Sequence, residues 1–174
     1  LNQDERLIWI ARRAAVVNAF SGKKREDDFE GGTAARLADH LHAAAMLLDD
    51  TETVDAQAGA FATGAYARIR KQFGLPIGRF EGIEEALARI AGKAYTISAL
   101  SRMTCSAVDL GEKPAVASAI AKCHATEMSR EVITDAMDVH GGKGIIQGPN
   151  NYLSHAYQAV PIAITVEGAN ILTR

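Results

Sequence analysis

From residue 83 onward the chain carries apolar or small side chains at Ile83, Leu87, Ile90, Ala94, Ile97 and Ser101, separated alternately by four and three positions. A half-buried strand alternates with a period of two, so this seam reads as one face of a long α-helix. The same alternation packs helix against helix at a shallow angle, because the ridges of one fit the grooves of the other. Gly111 ends the seam, and Pro114, which lacks the N–H that a first helical turn leaves unpaired, opens the next segment. That segment carries Val116, Ile120, Cys123, Val132, Ala136 and Val139 and runs to the glycines Gly141 and Gly142. Two long helices joined by a short turn imply an antiparallel partner arrangement, so the sequence predicts an all-α fold, an antiparallel helical bundle.

The remaining segments extend this reading. A helix is expected over 57–73, ending at Gly74 and Pro76 in the glycine-then-proline manner. Further toward the N-terminus, Leu7, Ile8, Ala11, Ala14, Ala15 and Val17 recur at helical spacing over 6–20, and the polar stretch 21–32 ends in a glycine pair that marks a loop. Thr33 is placed to cap a second helix lined by Leu37, Leu41, Ala44, Ala45 and Leu48. The charged stretch 49–55 is the expected boundary, dividing an unassigned helical segment, 1–55, from the bundle, 56–174.

Composition narrows the function. The 174 residues, 48% hydrophobic and 23% charged, are those of an ordinary globular protein with enough material for one core. A formal charge of −2 with scattered basic residues leaves no electrostatic footprint for nucleic acid or an anionic membrane. No apolar run is long enough for membrane insertion, and charges interrupt LNQDERLIWIARR where a signal peptide would be apolar, so a cytoplasmic protein is expected. Cys105 and Cys123 lack CxxC spacing and read as reduced thiols in or near the core. A start at Leu1 rather than Met is read as truncation or processing.

Several constellations carry residue types suited to chemistry. GGKG, from Gly141, lacks the preceding strand and following Ser or Thr of a phosphate loop, so it reads first as a helix-ending turn and second as a glycine backbone over which a nucleotide can lie. Asp39 and His42 form half of a bundle metal motif without a second copy, so no metal site is expected. His40, His124, His140 and His155 read as solitary. Arg70, Gln72 and Phe73, in RKQF, fit either a cationic last helical turn or a clasp for a planar, phosphate-bearing cofactor. Glu167 is the sole charged side chain between His155 and Arg174, following an apolar run from Val160 at a point read as a change from extended to helical chain. It is either a carboxylate favoured by a helix dipole or a base kept basic by an apolar flank.

YARIRKQFGLPIGRFEGIEEALARIAGKAY, DAMDVHGGKGI and ITVEGANILTR resemble, in order and separation, motifs of the acyl-CoA dehydrogenase family, most nearly the large bacterial fatty acyl-CoA dehydrogenases of β-oxidation. The resemblance covers 57–174, the family's all-helical C-terminal domain. It implies an FAD-dependent oxidoreductase that converts fatty acyl-CoA to trans-2-enoyl-CoA, with an electron-transfer flavoprotein as acceptor. Glu167 would then be the catalytic base that removes the α proton, the backbone N–H there suiting the thioester carbonyl, and Gly168 follows it as the family expects. Arg70, Gln72 and Phe73 would contact the FAD of a neighbouring subunit and Gly141 and Gly142 its nucleotide end, which implies a homo-oligomer. Two cofactor positions depart from the family: Asp138 stands where glutamine is common, bringing a charge toward a pyrophosphate, and Ala169 stands where threonine is common. The family's N-terminal helical and middle β-domains are not recognisable here, so the resemblance implies a piece of such an enzyme. The alternative is a non-catalytic helical oligomerisation module derived from the family.

Overall fold

A computed structural model describes residues 52–166 and 168–173. The helices expected over 6–20 and after Thr33, the 21–32 loop, Asp39, His40, His42 and Glu167 lie outside the described residues. The elements in order are α1 (Glu52–Ile69), β1 (Lys71–Gln72), β2 (Leu75–Pro76), a 3-10 turn (Ile77–Arg79), α2 (Glu81–Asp109), α3 (Ala115–His140), α4 (Gly142–Ile145), α5 (Leu153–Thr165) and α6 (Asn170–Thr173).

Side-chain pairs give the helix directions. Arg89 Nη2 and Nε meet the Asp135 carboxylate at 2.9 and 3.1 Å, and Lys93 Nζ meets Glu131 Oε2 at 2.6 Å, so α3 descends as α2 rises. Gln57 donates to Ser98 Oγ at 2.9 Å while Ala67 packs with Ala86, which sets α1 antiparallel to α2 as well. Ala56, Ile90, Ala94, Ile97, Ala125, Val132 and Ala136 form the main core, closed by Leu153 of α5. Gly59 lets α1 come close to α3: an added Cβ would lie 3.2 Å from Ile133 Cδ1. The predicted all-α bundle is the observed fold, with a two-residue hairpin as its β-structure among the described residues.

The α2–α3 turn follows the expected chemistry. Gly111, at φ 84°, donates to the Val108 carbonyl at 2.9 Å and Glu112 to that of Ala107 at 3.0 Å, the paired bonds of a Schellman ending. Pro114 stands one position ahead of α3, its carbonyl accepting from Ser118 N–H at 2.8 Å.

Three expectations need correction. The helix assigned to 57–73 begins at Glu52 and stops at Ile69. Lys71 and Gln72 instead pair with Pro76 and Leu75 across a turn in which Phe73 (φ 51°) and Gly74 (φ 80°) are both left-handed. That is a type I′ turn, whose twist matches a tight hairpin. The N-terminal half of α3 presents a different face: Val116 and Ile120 are exposed, while Ser118, Ala121, Lys122, Ala125, Thr126 and Ser129 are buried. Finally, most of the β-branched run from Val160, read as extended, belongs to α5, with Pro161 inside the helix. Burial of Leu153 and Val160 overrides the local strand preference.

Candidate functional site

The hairpin and the end of α3 together build an open groove of about 800 Å³. Arg70, Gln72 and Phe73 line one side and Gly141, Gly142 and Lys143 the other, with Tyr66, Phe80 and His140 between. Two motifs that the sequence places far apart therefore share one site. Position 70 is fixed because Arg70 N–H donates to Tyr66 carbonyl at 2.8 Å as α1 ends, and its own carbonyl accepts from Ile77 N–H at 2.7 Å. Phe73 is 92% exposed, its ring edge-on to Phe80 at 6.3 Å between centroids. Gly141 has φ 54° and ψ −131°, a conformation essentially reserved to glycine, and sites for a Cβ at Gly141 and at Gly142 meet no atom within 4 Å.

His140 is not solitary. Its ring stacks on Tyr66 with centroids 4.2 Å apart and lies edge-on to Tyr152. Nδ1 lies 2.8 Å from the Ala136 carbonyl, which can only accept, so Nδ1 carries the proton and Nε2 accepts from the Tyr152 hydroxyl at 2.6 Å. Burial holds the imidazole below the ordinary histidine range; the Ala136 bond opposes this, and the Lys143 charge adds to it. His140 is thus a neutral aromatic wall. Tyr152 is set by Asn151, whose amide donates to the carbonyls of Gly144 at 2.5 Å and Ile146 at 2.9 Å while its oxygen accepts from the N–H groups of Leu153 and Ser154.

Asp138 does not face this groove; it lines a second one, of about 520 Å³, with Met137, Tyr157 and Gln158. Gly168 and Ala169 lie at the other end of α3. Gly168 carbonyl accepts from Lys122 Nζ at 2.8 Å, and Lys122 precedes His140 by about 27 Å along the helix axis. The cofactor candidates thus form two groups, the RKQF and glycine-pair residues at one end of α3 and the segment after α5 at the other. α5 ends at Thr165 and α6 begins at Asn170, and Glu167, between them in sequence, lies outside the described residues.

The lining suits a planar, phosphate-bearing ligand. The groove offers the cations Arg70 and Lys143 for phosphate, aromatic rings for a planar group, and two glycines that leave room where side chains would intrude. Among known proteins, the family described as acyl-CoA dehydrogenase, C-terminal domain, matches residues 33–174. The chain belongs to this family. The match begins at residue 33, well ahead of the motifs, so part of the segment left unassigned, 1–55, falls within the family's domain. A protein of Clostridium sporogenes named 3-(aryl)acrylate reductase is 31% identical over 115 residues, 66% of this chain and 30% of that protein. The probable acyl-CoA dehydrogenase FadE25 of Mycobacterium tuberculosis is 38% identical over 109 residues, 56% of this chain and 27% of that protein. The solved butyryl-CoA dehydrogenase of Megasphaera elsdenii superposes with a TM-score of 0.74 at 22% identity, over 82% of this chain and 36% of that one, which shows the fold. This chain therefore spans about a third or less of the curated relatives' length. Among the described residues no helix is long and apolar enough to cross a membrane.

The sequence reading missed His140, Tyr66, Tyr152 and Lys143 as groove residues, and Lys122 and Asn170 as buried polar ones. A signal existed for Lys122: it stands four residues from Ser118 and from Thr126, a polar line where a core helix ordinarily carries aliphatic side chains.

Proposed function

We propose that this chain forms the helical part of an FAD-dependent enzyme that dehydrogenates fatty acyl-CoA to trans-2-enoyl-CoA, in the manner of fatty-acid β-oxidation. The observation that carries the proposal is the single groove shared by RKQF and the glycine pair, in a chain whose family handles acyl-CoA. Arg70 and Gln72 would hold the phosphate-bearing part of FAD, with Phe73 against a planar ring and Gly141 and Gly142 leaving the backbone open to the nucleotide. FAD, when bound, supplies the acceptor for two electrons. Glu167 would take the α proton of the thioester, and its backbone N–H would serve the carbonyl on which negative charge develops. An apolar flank raises the basicity of such a carboxylate. The exposed RKQF hairpin is suited to reach the cofactor of a neighbouring subunit, so a homo-oligomer is part of the proposal, as are an electron-transfer flavoprotein as acceptor and a cytoplasmic location.

A second reading, reduction of the same Cα–Cβ bond, is favoured by the similarity to a protein named as an acrylate reductase. The first reading is tested by anaerobic mixing of flavin-loaded protein with saturated acyl-CoA. The flavin absorbance should bleach in the parent and at least about 100-fold more slowly in Glu167→Gln. An unchanged rate in that variant would refute the base assignment, and flavin reoxidised only by enoyl-CoA would favour the reverse direction.

A further inference from the structure

We propose that Lys122 is a positioning residue for Glu167, fastening to α3 the backbone that brackets position 167; this deepens, and rests on, the reading of Glu167 as base. Lys122 is 6% exposed, on a face shared with Ser118, Thr126 and Ser129. A lysine is almost never buried without partners, because removing its charge from water is costly unless the ammonium hydrogens are taken up. Here Nζ donates to the carbonyl of Gly168 at 2.8 Å, to Asn170 Oδ1 at 2.8 Å and to the carbonyl of Ile164 at 3.3 Å.

These acceptors are placed on both sides of one short segment. Ile164 lies in the last turn of α5, where carbonyls lack helical donors and a cation is favoured by the helix dipole. Gly168 immediately follows position 167, and Asn170 opens α6. Asn170 is itself buried and tied to the same helix, donating to Thr126 Oγ1 at 2.9 Å and Glu127 Oε1 at 3.2 Å. One ammonium and one carboxamide thus hold the end of α5 and the start of α6 against α3. An aliphatic side chain at 122 would fill the space but could not donate to those oxygens.

The functional consequence follows from the demands on a general base. It must stand within hydrogen-bond reach of the proton it removes, and a displacement of about 1 Å costs on the order of 100-fold in rate. Lys122 acts through the backbone it holds rather than on the substrate.

The test is hydrogen-exchange mass spectrometry on the full chain, comparing the parent with Lys122→Met and Lys122→Arg. In Lys122→Met, exchange in peptides spanning 162–172 should accelerate about tenfold or more, the loss expected for hydrogen bonds from a charged donor, while peptides from α1 and α2 keep parental rates. Lys122→Arg should restore most of the protection. On the flavin-loaded protein, the bleaching rate at saturating acyl-CoA should fall in Lys122→Met with the half-saturating concentration unchanged. Uniform acceleration across all helices would make Lys122 a support of the whole core and overturn the proposal, as would no local change. If Lys122→Met does not fold, the parent decides: a slowly exchanging Lys122 Nζ signal in ¹⁵N NMR supports the proposal, and exchange as fast as that of surface lysines overturns it. Glu167→Gln with a parental bleaching rate would remove the base reading alone, since the exchange result still reports whether Lys122 holds the segment.

Discussion

Replacing Tyr152 by Phe removes one hydroxyl and leaves the ring that lies edge-on to His140 at 5.5 Å. The lost bond is the 2.6 Å contact from the hydroxyl to His140 Nε2. Nδ1 remains bonded to the Ala136 carbonyl, so the ring cannot turn to satisfy Nε2 without abandoning that bond. A buried acceptor left without its donor costs about 1–3 kcal/mol; Tyr152 is 51% exposed, so water has some access and the lower half of that range applies, about 1.5 kcal/mol. For a chain of this length that lowers the thermal midpoint by about 3–6 °C. The assay is thermal unfolding followed by circular dichroism at pH 8, where the ring is neutral in both states. NMR titration of the His140 ring adds a second readout, because losing a donor to the neutral form should raise its pKa. A midpoint within 1 °C of the parent, with an unshifted His140 titration, would refute the hydrogen-bonded neutral imidazole as a structural part of the groove.

Further outcomes follow from other parts of the fold. Because burial holds His140 below the ordinary histidine range, the unfolded chain binds its proton first as pH falls. Stability should therefore decline from about pH 6.5 downward through the folded pKa, and His140→Phe should flatten that decline in denaturant titrations. Ile97, fully buried in the main core, should cost about 3–4 kcal/mol when cut to Ala, roughly 2.5 from lost transfer and the rest from the cavity, measured as a fall in the urea midpoint. Gly141→Ala should destabilise by about 1–3 kcal/mol through its left-handed backbone, whereas Gly142→Ala, which meets open space, should leave the thermal midpoint within about 2 °C of the parent.

The long helices were legible because period and punctuation agree: the Ile83 to Ser101 seam, Gly111 and Pro114 all point to one hairpin of helices. The family was legible from three motifs in order. The hairpin at Phe73 was not, because Phe-Gly followed by Leu-Pro is also how a helix ends, and a bulky residue at positive φ is uncommon. Val116 and Ile120 misled because hydrophobicity marks a candidate for burial, while the face actually buried mixes alanines with polar residues, two of which are met by contacts distant in sequence, Lys122 with Gly168 and Thr126 with Asn170. The run after Val160 misled in the opposite way, β-branched residues and a proline being held helical by packing. Of the site, RKQF and the glycine pair stood out as separate motifs, but that they line one groove was invisible without the fold, as was the Tyr66, His140 and Tyr152 stack. Glu167 was visible as an isolated carboxylate, and its role remains a proposal.

Whether one groove formed by RKQF and the glycine pair receives a flavin nucleotide is decided by an FAD titration of the purified chain followed by fluorescence anisotropy. Binding should be saturable and weakened at least about tenfold by Arg70→Met and by Gly142→Ala while both variants stay folded. Absence of saturable binding, or variants that bind FAD as the parent does, would contradict a flavin site in this groove.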